Sequence, residues 1–249
     1  MGNILVTLIG GNPGPVQYAK LTLLGVVVLG ALIAVIVVSA IYGPRSKNSD
    51  DEDNPYYLAA GNGESTTKTL LWSGNGTEWN ATSGAFEGSG RYVRYYYGTN
   101  APAWLAVGTD SADVKGTILW SDDGKTWNKI LTGGFGLGTG DSDGGYSIAY
   151  DSSSGIFVAT GGIVDGGEVT STLQWSVNGK NWNDAESGGF TSHGTDIYFD
   201  DNVKRFVVLG VDDDLNKTIQ YSADGKNWTG SSGATFNESG GLSVIGRNR

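Results

Sequence analysis

The sequence predicts an all-β repeat protein, and three observations predict it. An eleven-residue stretch occurs four times, as Thr69 to Trp79 (TLLWSGNGTEW), Thr117 to Trp127 (TILWSDDGKTW), Thr172 to Trp182 (TLQWSVNGKNW) and Thr218 to Trp228 (TIQYSADGKNW). Its final tryptophans lie 48, 55 and 46 residues apart, and such a period marks a repeat architecture. The 249 residues include 41 glycines, 12 tyrosines and 8 tryptophans, which suits many short strands and tight turns. Finally, an apolar run ending in glycine precedes every copy: Tyr57 to Gly61, Trp104 to Gly108, Phe157 to Gly161 and Phe206 to Gly210.

In chain order, residues 1–20 form a leader with a turn at Gly10 to Pro15, followed by Leu21 to Tyr42, 22 residues without a charge. At 1.5 Å per residue this run reaches about 33 Å as a helix, enough to cross a bilayer. Lys20 precedes it, and Pro44 cannot continue it. A cleaved signal peptide ending at Val38-Ser39-Ala40 is the rival reading. It needs a shorter apolar core and a basic leader, so one N-terminal transmembrane helix is expected. Residues 43–55 read as an acidic extended linker around Asp50 to Asp53.

Residues 56–249 carry the repeat. In each copy an Asp-Gly or Asn-Gly pair (Asn75-Gly76, Asp123-Gly124, Asn178-Gly179, Asp224-Gly225) suggests a two-residue hairpin tip with both residues at positive φ. Counting outward from that tip pairs Trp72 with Trp79, Trp120 with Trp127, Trp175 with Trp182 and Tyr221 with Trp228. A further strand leads three of the repeats: Tyr92 to Tyr96, Tyr146 to Tyr150 and Asp196 to Phe199. Each unit is therefore expected to be a four-stranded antiparallel sheet. The first unit lacks its leading strand, and the chain ends on an unmatched candidate, Gly241 to Gly246 (GLSVIG). A four-bladed β-propeller closed by this C-terminal strand, placed beside Tyr57 to Gly61, uses every strand and hides the sheet edges.

The repeated unit Ser-x-[Asp/Asn]-Gly-x-x-Trp covers Ser73, Asn75, Gly76 and Trp79; Ser121, Asp123, Gly124 and Trp127; Ser176, Asn178, Gly179 and Trp182; and Ser222, Asp224, Gly225 and Trp228. It resembles the Asp-box (BNR-type) repeat of sialidase-like β-propellers, which sits on the turn between the third and fourth strands of a blade. The family box usually has one more residue before its glycine, and two copies here carry Asn for Asp. The resemblance implies that these residues are structural, away from any catalytic centre.

Composition narrows the function. Net charge is −10 with only 16 Lys and Arg, which argues against nucleic acid as a partner. Cysteine is absent, and His193, the single histidine, reads as a solvated loop residue; no metal or other cofactor is expected. Sialidase-like enzymes hold their substrate with an arginine triad, and their Arg-containing N-terminal motif is missing here. The inner-strand groups Arg94, Tyr96, Asp196 and Tyr198 are candidates to line a narrow centre. A glycosidase needs two flanking carboxylates, and the candidates Asp196 and Asp200 read as turn caps. The glycine-rich Gly134 to Gly140 has no helix after it and reads as a loop between units. A non-catalytic structural or interaction protein is expected, anchored in a membrane and partnered by lipid and by proteins of a large membrane-containing assembly such as a virion. The alternative is a glycan-binding module or a degenerate glycosidase.

Overall fold

The computed structural model describes residues 37–40, 57–63, 68–97, 102–137, 143–162, 171–237 and 239–246. The expected leader and linker lie outside these residues. So does the apolar span 21–42, apart from Val37–Ala40. No helix among the described residues is long and apolar enough to cross a membrane.

The described chain is all-β, with only two short 3₁₀ turns, at Val114–Thr117 and Leu215–Lys217. Its sixteen strands form four antiparallel units in chain order. The first is β1 (Val37–Ala40), β2 (Tyr57–Ala60), β3 (Leu70–Ser73) and β4 (Asn80–Ala81). The second is β5 (Gly90–Tyr95), β6 (Trp104–Gly108), β7 (Ile118–Ser121) and β8 (Asn128–Lys129). β9 (Gly144–Asp151), β10 (Ile156–Gly162), β11 (Leu173–Ser176) and β12 (Asn183–Asp184) make the third. The fourth is β13 (His193–Asp200), β14 (Arg205–Val211), β15 (Ile219–Ser222) and β16 (Thr229–Gly230). The third and fourth units join into one curled sheet through the pair Gly162 and His193.

The strands predicted from the apolar runs are present, and their burial explains their composition. Trp104–Gly108 is buried at every position because its sheet is covered on both faces, which favours a continuous apolar run over an alternating one. Three cores result, one at each junction between successive units. Leu58, Leu70 and Phe86 meet Val93, Leu119 and Trp127 between the first and second units. Between the second and third, Leu105, Ile118 and Phe135 meet Ile148, Phe157 and Trp182. Val158, Leu173 and Phe190 meet Ile197, Phe206 and Trp228 between the third and fourth.

Each core repeats one device. A threonine hydroxyl at the start of the third strand accepts the backbone N–H of a phenylalanine 17 or 18 residues on: Thr69 with Phe86, Thr117 with Phe135, Thr172 with Phe190, and Thr218 with Phe236. The glycine at or next to the end of the next unit's second strand then lies on that ring, since a Cβ on Gly108, Gly161 or Gly210 would run into Phe86, Phe135 or Phe190. Only a residue without a side chain permits that approach.

Among the described residues no fourth core forms between the fourth unit and the first. Phe236 is 43% exposed, against 0%, 0% and 5% for Phe86, Phe135 and Phe190. Val207, Ile219 and Trp79 are half-buried where their counterparts are buried, and a Cβ on Gly61 would meet nothing within 4 Å.

Two expectations are corrected. The C-terminal segment is not hydrogen-bonded beside β2; that edge is taken by β1, with Val38 opposite Ala59 and Ala40 opposite Tyr57. Gly241 to Gly246 instead follows the far side of β13: the Thr195 hydroxyl donates to the Gly241 carbonyl, and the Val244 N–H donates to Asp196. A free strand edge takes whichever extended β-branched run reaches it, and Val37-Val38 is such a run. The hairpin tips are also longer than two residues. Trp120 pairs with Asn128, and likewise Trp72 with Asn80, Trp175 with Asn183 and Tyr221 with Thr229. The aromatic cross-strand pairs therefore do not form.

Candidate functional site

The longer tip follows from its side chains. In the second unit the Ser121 Oγ accepts the N–H of Asp123 (3.3 Å) and of Gly124 (2.8 Å) and donates to Asp123 Oδ1 (2.9 Å). Asp123 Oδ1 accepts the N–H of Lys125 and of Thr126, both at 2.7 Å. Serine and the acidic or amide side chain thus replace the backbone ladder, as such residues do in turns. The same bonds recur around Ser73 and Asn75, Ser176 and Asn178, and Ser222 and Asp224. Only the glycine takes positive φ: Gly76 78°, Gly124 72°, Gly179 67° and Gly225 72°. The closing tryptophan folds back so that its indole N–H donates to that glycine's carbonyl, at 3.3 Å for Trp79, 3.1 Å for Trp127, 3.0 Å for Trp182 and 3.3 Å for Trp228.

These loops also fasten each unit to the one before. Lys125 stands 4.4 Å from the Trp72 ring, Lys180 3.7 Å from Trp120 and Lys226 4.0 Å from Trp175, contacts of about 0.5–1 kcal/mol at exposed sites. The first unit has Thr77 in place of that lysine. In the fourth, Tyr221 is met by Arg205 of its own unit, 4.9 Å away.

A second cluster lies along the inner strands. Arg91 reaches the Asp143 carbonyl and stands 4.0 Å over the Tyr146 ring, which stacks on His193 at 5.1 Å. His193 is therefore a half-buried strand residue and not the solvated loop residue expected. Burial, then the Arg91 charge, lowers its pKa below the ordinary 6.5. Asp196 Oδ1 accepts the Ser147 hydroxyl (2.8 Å) and the Ile197 N–H (2.9 Å), while Oδ2 accepts the Ser243 hydroxyl (3.0 Å) and the Val244 N–H (2.9 Å). Arg94 donates to the Tyr92 hydroxyl at 3.4 Å. The Tyr92 oxygen raises its already high pKa against the effect of burial, with Tyr96 and Tyr198 adding to it.

Of the four inner-strand candidates, Arg94, Asp196 and Tyr198 belong to this cluster. Tyr96 is buried in the core between the second and third units, its hydroxyl donating to the Ile148 carbonyl. Asp200 does cap a turn, accepting the N–H of Asn202 at 2.8 Å. Asp196 instead ties β9, β13 and the C-terminal segment together. Gly134 and Gly136 are in a loop between units, bonded to Gln174 and Gly162. Sequence reasoning missed Arg91, Tyr92, Tyr146 and Ser147. Aligning the leading strands would have found the last, because Ser147, Asp196 and Ser243 occupy one register position in successive units.

Chemically, the cluster offers hydrogen-bond donors, aromatic faces and two guanidinium groups. Each Asp196 oxygen already accepts two donors of the chain itself. No group of three or more His, Asp or Glu among the described residues could hold a metal ion. Compared with known proteins, no family model and no curated protein matches this chain.

The titrating groups predict how stability changes with pH. Burial would raise the Asp224 pKa, but the Asn227 and Lys226 N–H groups and the Ser222 hydroxyl lower it far below 3.8; Asp123 is lowered in the same way by Thr126, Lys125 and Ser121. A depressed carboxyl stabilises the fold above its unfolded pKa and ceases to as pH falls toward the folded value. For His193, lowered from 6.5, the unfolded chain takes up the proton first, so stability also falls as pH drops below that value. Thermal melts should therefore show two declines, one below about pH 6.5 and one below about pH 4. His193→Phe should remove the first and Asp224→Asn should reduce the second. Unchanged curves for both variants would refute the assignment.

Proposed function

We propose that this chain is a non-catalytic, single-pass membrane protein whose repeats form a four-bladed β-propeller of the Asp-box type. It serves as a structural or interaction component of a membrane-containing assembly, of which a virion is one kind. The repeated loop carries this reading: its Ser, Asp and Asn side chains bond their own backbone, so the motif builds fold and not chemistry. Four units joined by three alike cores support a propeller-like arrangement. The uncharged run from Leu21 supports an anchor, and the net charge of −10 argues against nucleic acid. A second reading, glycan recognition, is favoured by one observation, the stack of Arg91, Tyr146 and His193. The test is membrane association of the full chain. Alkaline carbonate should leave it in the membrane fraction and detergent should release it; release by carbonate alone would sink the anchor.

A further inference from the structure

We infer that the inner edge of β2 is a site with two alternative occupants, Val37–Ala40 and the C-terminal segment Gly241 to Gly246, and that the second completes a fourth core like the other three. This deepens the propeller reading and rests on it.

In the second, third and fourth units a glycine at the first or second position of the leading strand pairs with a glycine at or next to the end of the following strand: Gly90 with Gly108, Gly145 with Gly161, Gly194 with Gly210. A bulge follows, and the third residue after the glycine is buried apolar: Val93, Ile148 and Ile197, at 3%, 0% and 5% exposure. Gly241-Leu-Ser-Val244 repeats that spacing. Continuing the register pairs Gly241 with Gly61, Ser243 with Ala60 and Val244 with Ala59. Ala59 is the residue that Val38 now faces.

The segment is already placed for that role. Gly240 abuts Gly210, as Gly144 abuts Gly108, so it stands where the leading strand of a following unit would start. It holds no strand partner there; Leu242 and Ile245 are 82% and 68% exposed and Val244 is half-buried. The faces left uncovered, with Phe236 on one side and Gly61 and Trp79 on the other, are the two halves of the device that the chain makes three times. Across the inner strands, the Arg94 charge of the second unit and the Tyr198 hydroxyl of the fourth act on each other. The matching occupant is Gly241 to Gly246 of the same chain, since Gly240 is already seated against Gly210. One edge accepts one strand, so withdrawing Val37–Ala40, as insertion of the apolar run into a bilayer would, is coupled to closure.

The absence of cysteine makes the test direct. In the full chain, Ala60→Cys is combined with Ser243→Cys or with Val37→Cys and oxidised in phosphatidylcholine vesicles. Directly opposed residues are near enough to cross-link. The 60–243 disulfide should form within one chain in about tenfold excess over 37–60, the ratio of a modest preference. Predominance of 37–60 in a chain that carbonate leaves in the vesicles overturns the exchange, and so does a 60–243 disulfide found only between chains. Val38→Pro, which removes a strand N–H, separates this from the membrane reading. In chains extracted from the membrane it should raise the 60–243 yield about tenfold. No increase there overturns the exchange even if the anchor holds.

Discussion

Phe135→Ala is expected to destabilise the protein by about 3–5 kcal/mol, the cost of removing a fully buried aromatic ring, and to lower the melting temperature by roughly 6–20 °C for a domain of this size. Phe135 is 0% exposed and is shared by two units: Thr117 of its own holds its N–H at 2.8 Å, and Gly161 of the next lies against its ring. Its loss therefore loosens a junction, not only a side-chain site. The repeat supplies the control. Phe236 has the same sequence position and the same threonine bond, at 3.1 Å from Thr218, yet is 43% exposed. With β1 on the edge of β2, Phe236→Ala should cost less than about 1 kcal/mol, as surface changes do. In the closed ring it should cost about as much as Phe135→Ala. Denaturant titration of the two variants in the full chain reads the difference. A small effect of Phe135→Ala would contradict the junction core itself.

This contrast also shows what was legible in the sequence. The strands announce themselves because burial on two faces demands unbroken apolar runs ended by glycine, as in Trp104 to Gly108. The units follow from the spacing of the four loops. Loop register was not legible from turn propensity alone: Asn-Gly and Asp-Gly favour a two-residue tip, but a serine two positions earlier can bond the glycine N–H. Ser121, Ser176 and Ser222 all do so, at 2.8–2.9 Å. His193 reads as a loop residue because its neighbours are small and polar, whereas its packing comes from Tyr146, 47 positions away in the chain. Counting strands located a missing partner for β2 and assigned it to Gly241 to Gly246, whereas Val37–Ala40, read as part of an apolar helix, takes that edge. Val37-Val38-Ser39-Ala40 and Leu242-Ser243-Val244-Ile245 are both short, β-branched and uncharged, and propensity does not rank them. Of the candidate site, the loop residues were legible individually, and the inner-strand cluster only through the alignment of register positions across units.

Gly133→Ala is the second large expected effect, at about 2–5 kcal/mol. Two causes add. Gly133 has φ 87°, a conformation that costs an L residue about 1–2 kcal/mol. A Cβ there would also lie 2.6 Å from Trp182 Cβ and 2.8 Å from Gln174 Oε1, an overlap relieved only by shifting the next unit, at about 1–3 kcal/mol. The neighbouring Thr132 carbonyl accepts the Trp182 N–H at 3.0 Å, so the shift would strain the bond that fastens the third unit to the second. Gly84 and Gly188 share the arrangement, each against the tryptophan of the following unit, Trp127 and Trp228. Gly233 is the fourth member, with φ 101° and no atom within 4 Å of the added carbon. Gly233→Ala should therefore cost only the backbone strain of about 1–2 kcal/mol while the fourth junction is open, and rise to the Gly133 value once Trp79 packs against it. Equal losses for Gly133→Ala and Gly233→Ala in chemical denaturation would mean that the fourth junction is made in solution. A loss for Gly133→Ala no larger than backbone strain would mean that the unit junctions are looser than their packing indicates.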